Sequence, residues 1–351
     1  MRMFTSLTAL ALSGLFSSAA IAAPRLDAYG LTAGGNSAFG ANGNPFGCST
    51  FAPDGLAKLF GRTYELALPT DGAICGVASQ GQAVSAAAGA VQVAAPLGAS
   101  WGQSPDVRTF SGNAQARAGF GNLGVRAVAT YTGASDNGTV AGAQAGARQI
   151  DNLSFSGASG NGIYRPTFTI DGSLFNLGPT DSEIEFGYAY GSGPTIMAFR
   201  ISNSRGDLRL YANGAFQPAL PGMAVTGDLA SGLTVSGQTS FSVDIPIVFG
   251  VGQDVTLSLW AASLPGSSVG LLTPSSGNAS FFSSARLTGI EVLDSSGQAL
   301  RQFTVTSASG TLYGPGGVAA VPEPGSALLL CAGLLWLGAR RRRPSRARPA
   351  A

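Results

Sequence analysis

The stretch Phe241-Ser242-Val243-Asp244-Ile245-Pro246-Ile247-Val248-Phe249 places an apolar residue at every second position. Successive side chains of a β-strand point to opposite faces, so this alternation predicts a strand whose apolar face lies in a core. Pro246 falls on the other face, and it has no backbone N–H to donate. The proline therefore predicts an edge strand or a β-bulge at this position.

The same alternation recurs along the chain. In the range 183–190 one face carries the apolar and aromatic residues Ile184, Phe186, Tyr188 and Tyr190. Two runs of alternating small residues, 114–120 and 123–131, flank Gly121-Asn122 and predict a β-hairpin. Four further pairs tolerate the positive φ of tight turns and predict turns at Asn137-Gly138, Asn161-Gly162, Asp171-Gly172 and Asn213-Gly214.

About a dozen short strands and no convincing long helix favour one fold class. We expect a mainly β protein, an antiparallel β-sandwich of jelly-roll type, with a cleavable N-terminal signal helix and a short C-terminal transmembrane helix. The range 28–47 is rich in Gly, Asn and Ala and predicts irregular structure, and the range 81–95 fits helix and strand equally. We therefore divide the chain into residues 1–22, a Gly/Ala-rich region 23–100, a sandwich body 101–317 and a C-terminal segment 318–351.

The N-terminus has the pattern of a signal peptide. Arg2 precedes an apolar run from Phe4 to Phe16, and Ala20-Ile21-Ala22 forms an A-x-A cleavage site. We expect cleavage after Ala22; cleavage after Ala23 would leave a proline at the first mature position. The Sec translocon and signal peptidase are the expected partners, and a retained first transmembrane helix is the alternative.

The C-terminus combines three unlike elements. A polar tetrapeptide, Val321-Pro322-Glu323-Pro324, precedes the uncharged stretch 326–339, and the basic cluster follows as Arg340, Arg341, Arg342 and Arg343. As a helix, the uncharged stretch reaches roughly 21 Å, against a hydrocarbon core of about 30 Å. The segment is therefore a marginal anchor, and its arginines predict a cytoplasmic end. A buried core helix is the alternative, although four consecutive arginines argue against it.

This order of motif, short apolar helix and arginine cluster resembles the PEP-CTERM sorting signal of Gram-negative bacteria. The resemblance covers about 30 residues. It implies that an exosortase, an integral-membrane cysteine transpeptidase, removes the tail and releases the protein or transfers it to the cell surface. Pro322, Glu323 and Pro324 would then be a recognition motif for that enzyme. The protein would be held in the inner membrane only transiently.

Two stretches of the body resemble uncharacterised domains of other PEP-CTERM proteins. The ranges 283–294 and 307–313 are similar to the closing strands of those domains. The ranges 151–155 and 169–174 are similar to their middle strands. This likeness implies an exported β-sandwich and implies no reaction.

The charge distribution argues against a nucleic-acid partner. Of 20 basic residues, Arg2 and six tail arginines belong to the two terminal segments, which leaves 13 basic residues against 18 acidic ones. The mature body therefore carries a formal charge near −5, whereas nucleic-acid binding needs clustered positive charge.

Cysteine and histidine usage limits the chemistry. Cys331 lies in the apolar tail, so Cys48 and Cys75 remain and are expected to form one disulfide in an oxidising compartment. A cysteine nucleophile is the alternative, but the chain contains no histidine to activate it. The same lack removes Ser-His-Asp triads and His-based metal sites, and no cofactor motif is present.

Acidic and aromatic residues supply the remaining candidates. Asp181, Glu183 and Glu185 form the densest acidic group, which we interpret as a solvated strand face, with a calcium site or catalytic carboxylates as alternatives. Trp260 lies opposite the apolar face of Val255, Leu257 and Leu259, so it is the candidate ligand contact at the surface.

Three functions from different classes follow. The leading hypothesis is a structural cell-surface or extracellular-matrix protein, not an enzyme, associated with exopolysaccharide. A carbohydrate-binding module of the same matrix is the second, and it would use Trp260. A glycan hydrolase built on Glu183 or Glu185 is the third.

Overall fold

The computed structural model describes residues 23–36, 78–101, 107–133, 139–178, 180–191, 195–204, 207–212, 215–217, 221–228, 230–265 and 275–318. These residues contain nineteen β-strands and no helix, and the strands form two antiparallel sheets. The prediction of a mainly β, antiparallel architecture is therefore confirmed. The predicted signal helix and C-terminal helix lie outside the described residues.

The two sheets divide the strands unequally. Sheet I contains β1 Arg25–Asn36, β2 Ala78–Ala86, β6 Thr139–Ser156, β8 Thr180–Tyr190, β9 Thr195–Ser204, β10 Asp207–Ala212, β11 Ala215–Gln217, β15 Gln253–Pro265, β17 Thr304–Ser307, β18 Tyr313–Gly314 and β19 Gly317–Val318. Sheet II contains β3 Ala90–Trp101, β4 Arg108–Gly119, β5 Asn122–Thr132, β7 Asn161–Leu177, β12 Met223–Thr226, β13 Leu233–Ser242, β14 Ile245–Val248 and β16 Ser275–Leu293.

The strand order shows that the chain crosses between the sheets repeatedly. Sheet I follows the order β11-β10-β9-β8-β15-β6-β17-β18-β19, and β1 pairs with both β6 and β2. Sheet II follows the order β12-β13-β7-β16-β5-β4-β3, and β14 pairs with β7. Strands β5, β6, β7 and β8 alternate between the sheets, and so do β15 and β16. Of the seventeen pairings among the described strands, eight join strands that are not consecutive in the chain.

The first strand of sheet I lies partly within the range 28–47, whose composition predicts irregular structure. Strand β1 pairs with β6 along its whole length, from Arg25 to Asn36, so the prediction of irregular structure over residues 28–36 is wrong. Strand β3 pairs with β4 in the same way. Because β-pairing is decided by the neighbouring strand more than by local propensity, glycine and alanine did not prevent it.

The core between the sheets has an aromatic part and an alanine part. Phe168 of β7 packs against Phe186 and Tyr188 of β8, with ring centroids 5.3 and 4.9 Å apart, and so joins the two sheets. Elsewhere the inward positions are small and fully buried, namely Ala114, Ala116, Ala127, Ala129, Ala143, Ala145 and Ala147. Since aromatic side chains bury far more area than alanine, the aromatic part supplies most of the hydrophobic stabilisation.

Several strand predictions are confirmed in detail. Ile184, Phe186 and Tyr188 share the buried face of β8, and Tyr190 is partly buried beside them. Pro246 is exposed on β14, which pairs with β7 alone among the described strands, as expected of an edge. The β4–β5 hairpin turns at Gly121, whose φ of 74° is the positive value that such a turn requires.

Two predicted turns are wrong. Asn161-Gly162 and Asp171-Gly172 both lie within β7. A Cβ atom at Gly162 would collide with the ring of Phe249, and one at Gly172 would collide with the ring of Phe281. These glycines make room for core aromatics beside a continuous strand.

Within the described ranges, we find no helix with the length and apolar character needed to span a bilayer.

The aromatic part of the core gives the first testable prediction. Replacing Phe168 by Ala is expected to lower the free energy of unfolding by about 3–5 kcal/mol, because the lost ring leaves a cavity between the sheets. Urea denaturation measures this loss. Leu312→Ala is the control, since Leu312 is 65% exposed and its truncation should change stability by about 0.5 kcal/mol or less. Equal losses in the two variants would contradict the packing described.

Candidate functional site

Trp260 lies on the outer face of sheet I, as its position in the alternation predicts, but it is not at the surface. It pairs across the sheet with Gly146 of β6 and Glu185 of β8, and it is only 8% exposed. Tyr29 of β1 lies over Gly146, where a Cβ atom would collide with its ring, and Tyr29 and Trp260 are joined by a side-chain hydrogen bond. The expectation of an exposed Trp260 is therefore wrong, while its role as a ligand contact stays a prediction.

The acidic group on β8 has the predicted geometry and a different environment. Glu183 and Glu185 share the outer face of sheet I, opposite the core residue Ile184. Glu183 is half-buried and Glu185 is only 8% exposed, so the interpretation of a solvated strand face is wrong for Glu185. The Asp181 side chain lies outside the described residues.

A buried ion pair lies on the same outer face. Asp27 of β1 and Arg148 of β6 are directly opposite in the register and are 1% and 3% exposed. Arg148 donates to Asp27 Oδ2 from Nε at 2.8 Å and from Nη2 at 2.6 Å. Asp27 Oδ1 accepts from Ser85 Oγ at 2.6 Å and from Arg25 Nε at 2.7 Å. Both carboxylate oxygens are thus engaged, which a buried charge requires.

These contacts decide how the Asp27 carboxyl titrates. Burial by itself raises the pKa of Asp27, but the Ser85 hydrogen bond and the charge and hydrogen bonds of Arg148 outweigh burial and hold the pKa below its usual value. A lowered pKa in the folded state stabilises the fold above the unfolded-state pKa, and this stabilisation is lost as the pH falls through the folded-state pKa.

Asp151 of β6 is the most densely hydrogen-bonded carboxylate of the described residues. It is fully buried. Its Oδ2 accepts from Ser307 Oγ at 2.8 Å, Ser309 Oγ at 2.7 Å and the Tyr313 hydroxyl at 2.9 Å. Its Oδ1 accepts from the backbone N–H groups of Asn152 at 2.9 Å and Ser309 at 3.0 Å. Burial, together with the charge of Asp151, raises the pKa of Tyr313 well above its usual value.

The Asp151 contacts join two stretches that the sequence comparison singled out separately. Asp151 opens the range 151–155, and its side-chain donors come from the range 307–313. Sequence reasoning missed the contact itself. The available signal was the spacing of hydroxyl residues at Ser307, Ser309, Thr311 and Tyr313, which places four hydroxyls on one side of an extended chain. This arrangement fastens the segment from β17 to β18 onto sheet I.

A cavity of about 750 Å³ opens beside this segment. It is bounded by the β4–β5 turn at Gly121, by the loop residues Ser309 and Thr311, and by Arg286 and Thr288 of β16. Its lining combines five glycines, three hydroxyl residues, Asn122 and Arg286 with the apolar residues Phe120, Leu287 and Val318.

The remaining predicted sites lie outside the described residues. They are the cleavage-site residues Ala20 and Ala22, the cysteines Cys48 and Cys75, the motif 321–324 and the arginine cluster 340–343. In the part of the chain that the structure describes, no group of three His, Cys, Asp or Glu residues is placed to hold a metal ion.

Comparison of the chain with protein-family models, with curated proteins and with solved structures finds no match.

The Asp151 contacts predict a specific loss of stability. Asp151→Asn is expected to lower the free energy of unfolding by about 3 kcal/mol, because it removes the charge that strengthens several buried hydrogen bonds. Amide hydrogen exchange over residues 304–314 should accelerate more than exchange in β7. Asp254→Asn is the matched control, since Asp254 accepts one bond, from Asn152 Nδ2 at 2.8 Å, and should cost about 1 kcal/mol. Uniform acceleration across both regions would argue against a local anchor.

The buried ion pair predicts a pH-dependent loss. Asp27→Asn should destabilise the protein by about 3–5 kcal/mol near neutral pH, because Arg148 then remains buried without its counter-charge. The gap between wild type and variant should begin to narrow as the pH falls below about 4, the unfolded-state pKa of an aspartate, and should close as the pH falls through the lowered folded-state pKa of Asp27. Urea denaturation at several pH values measures both. A gap that stays constant into strong acid would contradict the role given to Asp27.

Proposed function

We propose that this protein is an exported, structural cell-surface or extracellular-matrix protein that an exosortase sorts and processes. The observation that carries the proposal is the order of Val321-Pro322-Glu323-Pro324, the uncharged stretch 326–339 and the arginines 340–343. Each element has a physical role in membrane handling: recognition, a marginal span and cytoplasmic retention of the basic end. Under this proposal the protein passes through the inner membrane, is anchored there transiently and is then released to the surface.

The extent of the sandwich supports the proposal. Strand β1 begins at Arg25, just after the predicted cleavage at Ala22, and β19 ends at Val318, just before Val321. The described strands therefore occupy the interval between the two segments that export and sorting would remove. Removal of either segment would leave every described strand pairing in place.

The strand order supports a jelly roll as the architecture of the exported body. Eight strands taken in chain order, β5, β6, β7, β8, β9, β13, β15 and β16, form the groups β5-β16-β7-β13 and β6-β15-β8-β9. Within this series every consecutive pair except β8–β9 changes sheets. Two interleaved Greek keys produce this arrangement, which defines the jelly roll. The other strands extend these two groups.

The partners of the buried carboxylates favour a structural role over an enzymatic one. Asp27 is neutralised by Arg148, and Asp151 is occupied by five donors from its own chain. A catalytic carboxylate needs an oxygen that faces a substrate. These two residues instead use their charge to hold strands together, which suits a protein that must remain folded outside the cell.

Mass spectrometry of the exported protein tests the sorting proposal. In a strain with its exosortase, we expect mature protein that lacks the arginine cluster; without the enzyme, the intact C-terminus should stay in the membrane. Glu323→Ala should reproduce the enzyme-free result by at least about tenfold accumulation of precursor, a loss of roughly 1.4 kcal/mol in recognition. Ala320→Ser, just outside the motif, is the control. Secreted material that is intact through Arg343 would refute processing.

A further inference from the structure

The outer face of sheet II carries three arginines that form no ion pair among the described residues. Arg117 lies on β4, Arg126 on β5 and Arg286 on β16, which are adjacent strands. Each side chain points away from the core, because its chain neighbours Ala116, Val125 and Leu287 face inward. Arg117 and Arg126 are half-buried, and Arg286 is exposed.

A fourth arginine on the same face, Arg165, is paired with carboxylates. Arg165 of β7 donates to Asp244 from Nε, and from Nη2 at 2.8 Å, and it donates to Glu291 from Nη1 at 2.7 Å. Two carboxylates therefore neutralise this guanidinium group, and the hydrogen bonds to Asp244 and Glu291 raise the pKa of Arg165. Arg117, Arg126 and Arg286 have no such carboxylates, although the protein body is acidic overall.

The side chains around these arginines also leave polar atoms unused. Among the described residues, the buried Nε atoms of Arg117 and Arg126 have no acceptor. The same part of the chain offers no donor to the buried Oδ1 atoms of Asn113, Asn122 and Asn278. Asn113 is on β4, Asn122 on β5 and Asn278 on β16, so all five atoms belong to the same three strands. Buried polar atoms without partners are rare in native proteins and require an explanation.

The position of Arg117 is fixed by an aromatic ring. Its guanidinium carbon lies 5.1 Å from the ring centroid of Phe282, within the range of a cation–π contact. Asn122 and Arg286 are paired in the register of β5 and β16, and both also border the 750 Å³ cavity. The polar face thus continues from the middle of sheet II into the cavity. Along the strands, Asn113 to Arg117 covers about 13 Å.

We propose that this face binds an acidic polysaccharide, with Arg117, Arg126 and Arg286 taking its carboxylates. Unpaired guanidinium groups are suited to planar anions such as carboxylates. The asparagine Oδ1 atoms are buried, so the contacts assigned to the ligand are those of the guanidinium groups alone. The choice of a polysaccharide as the source of the carboxylates rests on the proposed place of the protein in an extracellular matrix.

One carboxylate on the same face limits where the ligand lies. Asp171 of β7 is exposed, and it is two positions from Ser173, which pairs with Ser280. Ser280 in turn pairs with Arg126. An acidic chain is therefore expected to run along β4, β5 and β16 and to avoid the Asp171 end of β7.

The test is a binding measurement with polygalacturonate, whose sugar units carry carboxylates, and with its fully methyl-esterified form as the neutral probe. The full chain is used in detergent, with all six tail arginines, Arg340–Arg343, Arg346 and Arg348, changed to Gln so that the tail cannot contribute. We expect binding of polygalacturonate, weakening at high salt and no binding of the ester. Arg117→Gln, Arg126→Gln and Arg286→Gln should each raise Kd about tenfold, the loss of one charge-assisted contact.

Arg301→Gln is the matched control, because Arg301 is exposed in the loop between β16 and β17 and away from this face. It should change Kd by less than about twofold. Arg286 is exposed too, so its variant separates lost binding from lost folding. Equal binding of the ester, equal effects of Arg301→Gln and Arg286→Gln, equally tight binding of polyphosphate, or no binding of polygalacturonate would each overturn the inference.

The two proposals fail separately in these experiments. A chain that binds polygalacturonate through the three arginines but keeps its tail in the exporting cell refutes only the sorting proposal. A chain that is processed but does not bind polygalacturonate refutes only this inference.

Discussion

Strand β6 supplies the backbone hydrogen bonds on which the rest of sheet I depends. One of its edges pairs with β15 over residues 143–153. The other edge is divided, because β1 occupies residues 139–150 and β17 occupies residues 153–156. Asp151 lies at the point where the first pairing ends and the second begins. Its carboxylate accepts hydrogen bonds there from the segment that runs from β17 to β18. The point where this edge of β6 is divided is therefore also the point where that segment is held to sheet I.

The charged side chains on the two outer faces of the sandwich differ in their burial and in their partners. On sheet I the outward residues Asp27 and Arg148 are buried and paired with each other. On sheet II the outward arginines are half-buried or exposed, and three of them have no carboxylate in the described chain. Buried charges must be compensated within the protein, whereas accessible charges can be compensated by a ligand. The first arrangement therefore serves stability, and the second is available for binding.

Period-two alternation predicted the sheets well but could not predict what covers them. The inward faces of β8 and of the β4–β5 hairpin follow directly from the pattern, since alternation fixes which residues share a face. The burial of Trp260 and Glu185 on the outer face of sheet I does not follow, because alternation does not show which side chains of neighbouring strands pack over that face. The two wrong turn predictions, at Asn161-Gly162 and Asp171-Gly172, have a similar cause. The rings of Phe249 and Phe281, which are distant in sequence, occupy the space that a Cβ atom at Gly162 or Gly172 would need.

The divided edge of β6 has a consequence for the order of folding during export. Strand β1 would reach the outside first, yet its partner β6 follows far along the chain, and β17 follows later still. Such non-local pairing is slow, and an unpaired strand is exposed until its neighbour arrives. Under the proposed export route, the sheet is completed only when Val318 has emerged, immediately ahead of Val321. Completion of the fold and presentation of the sorting motif would thus coincide in time, so that the enzyme meets a finished protein.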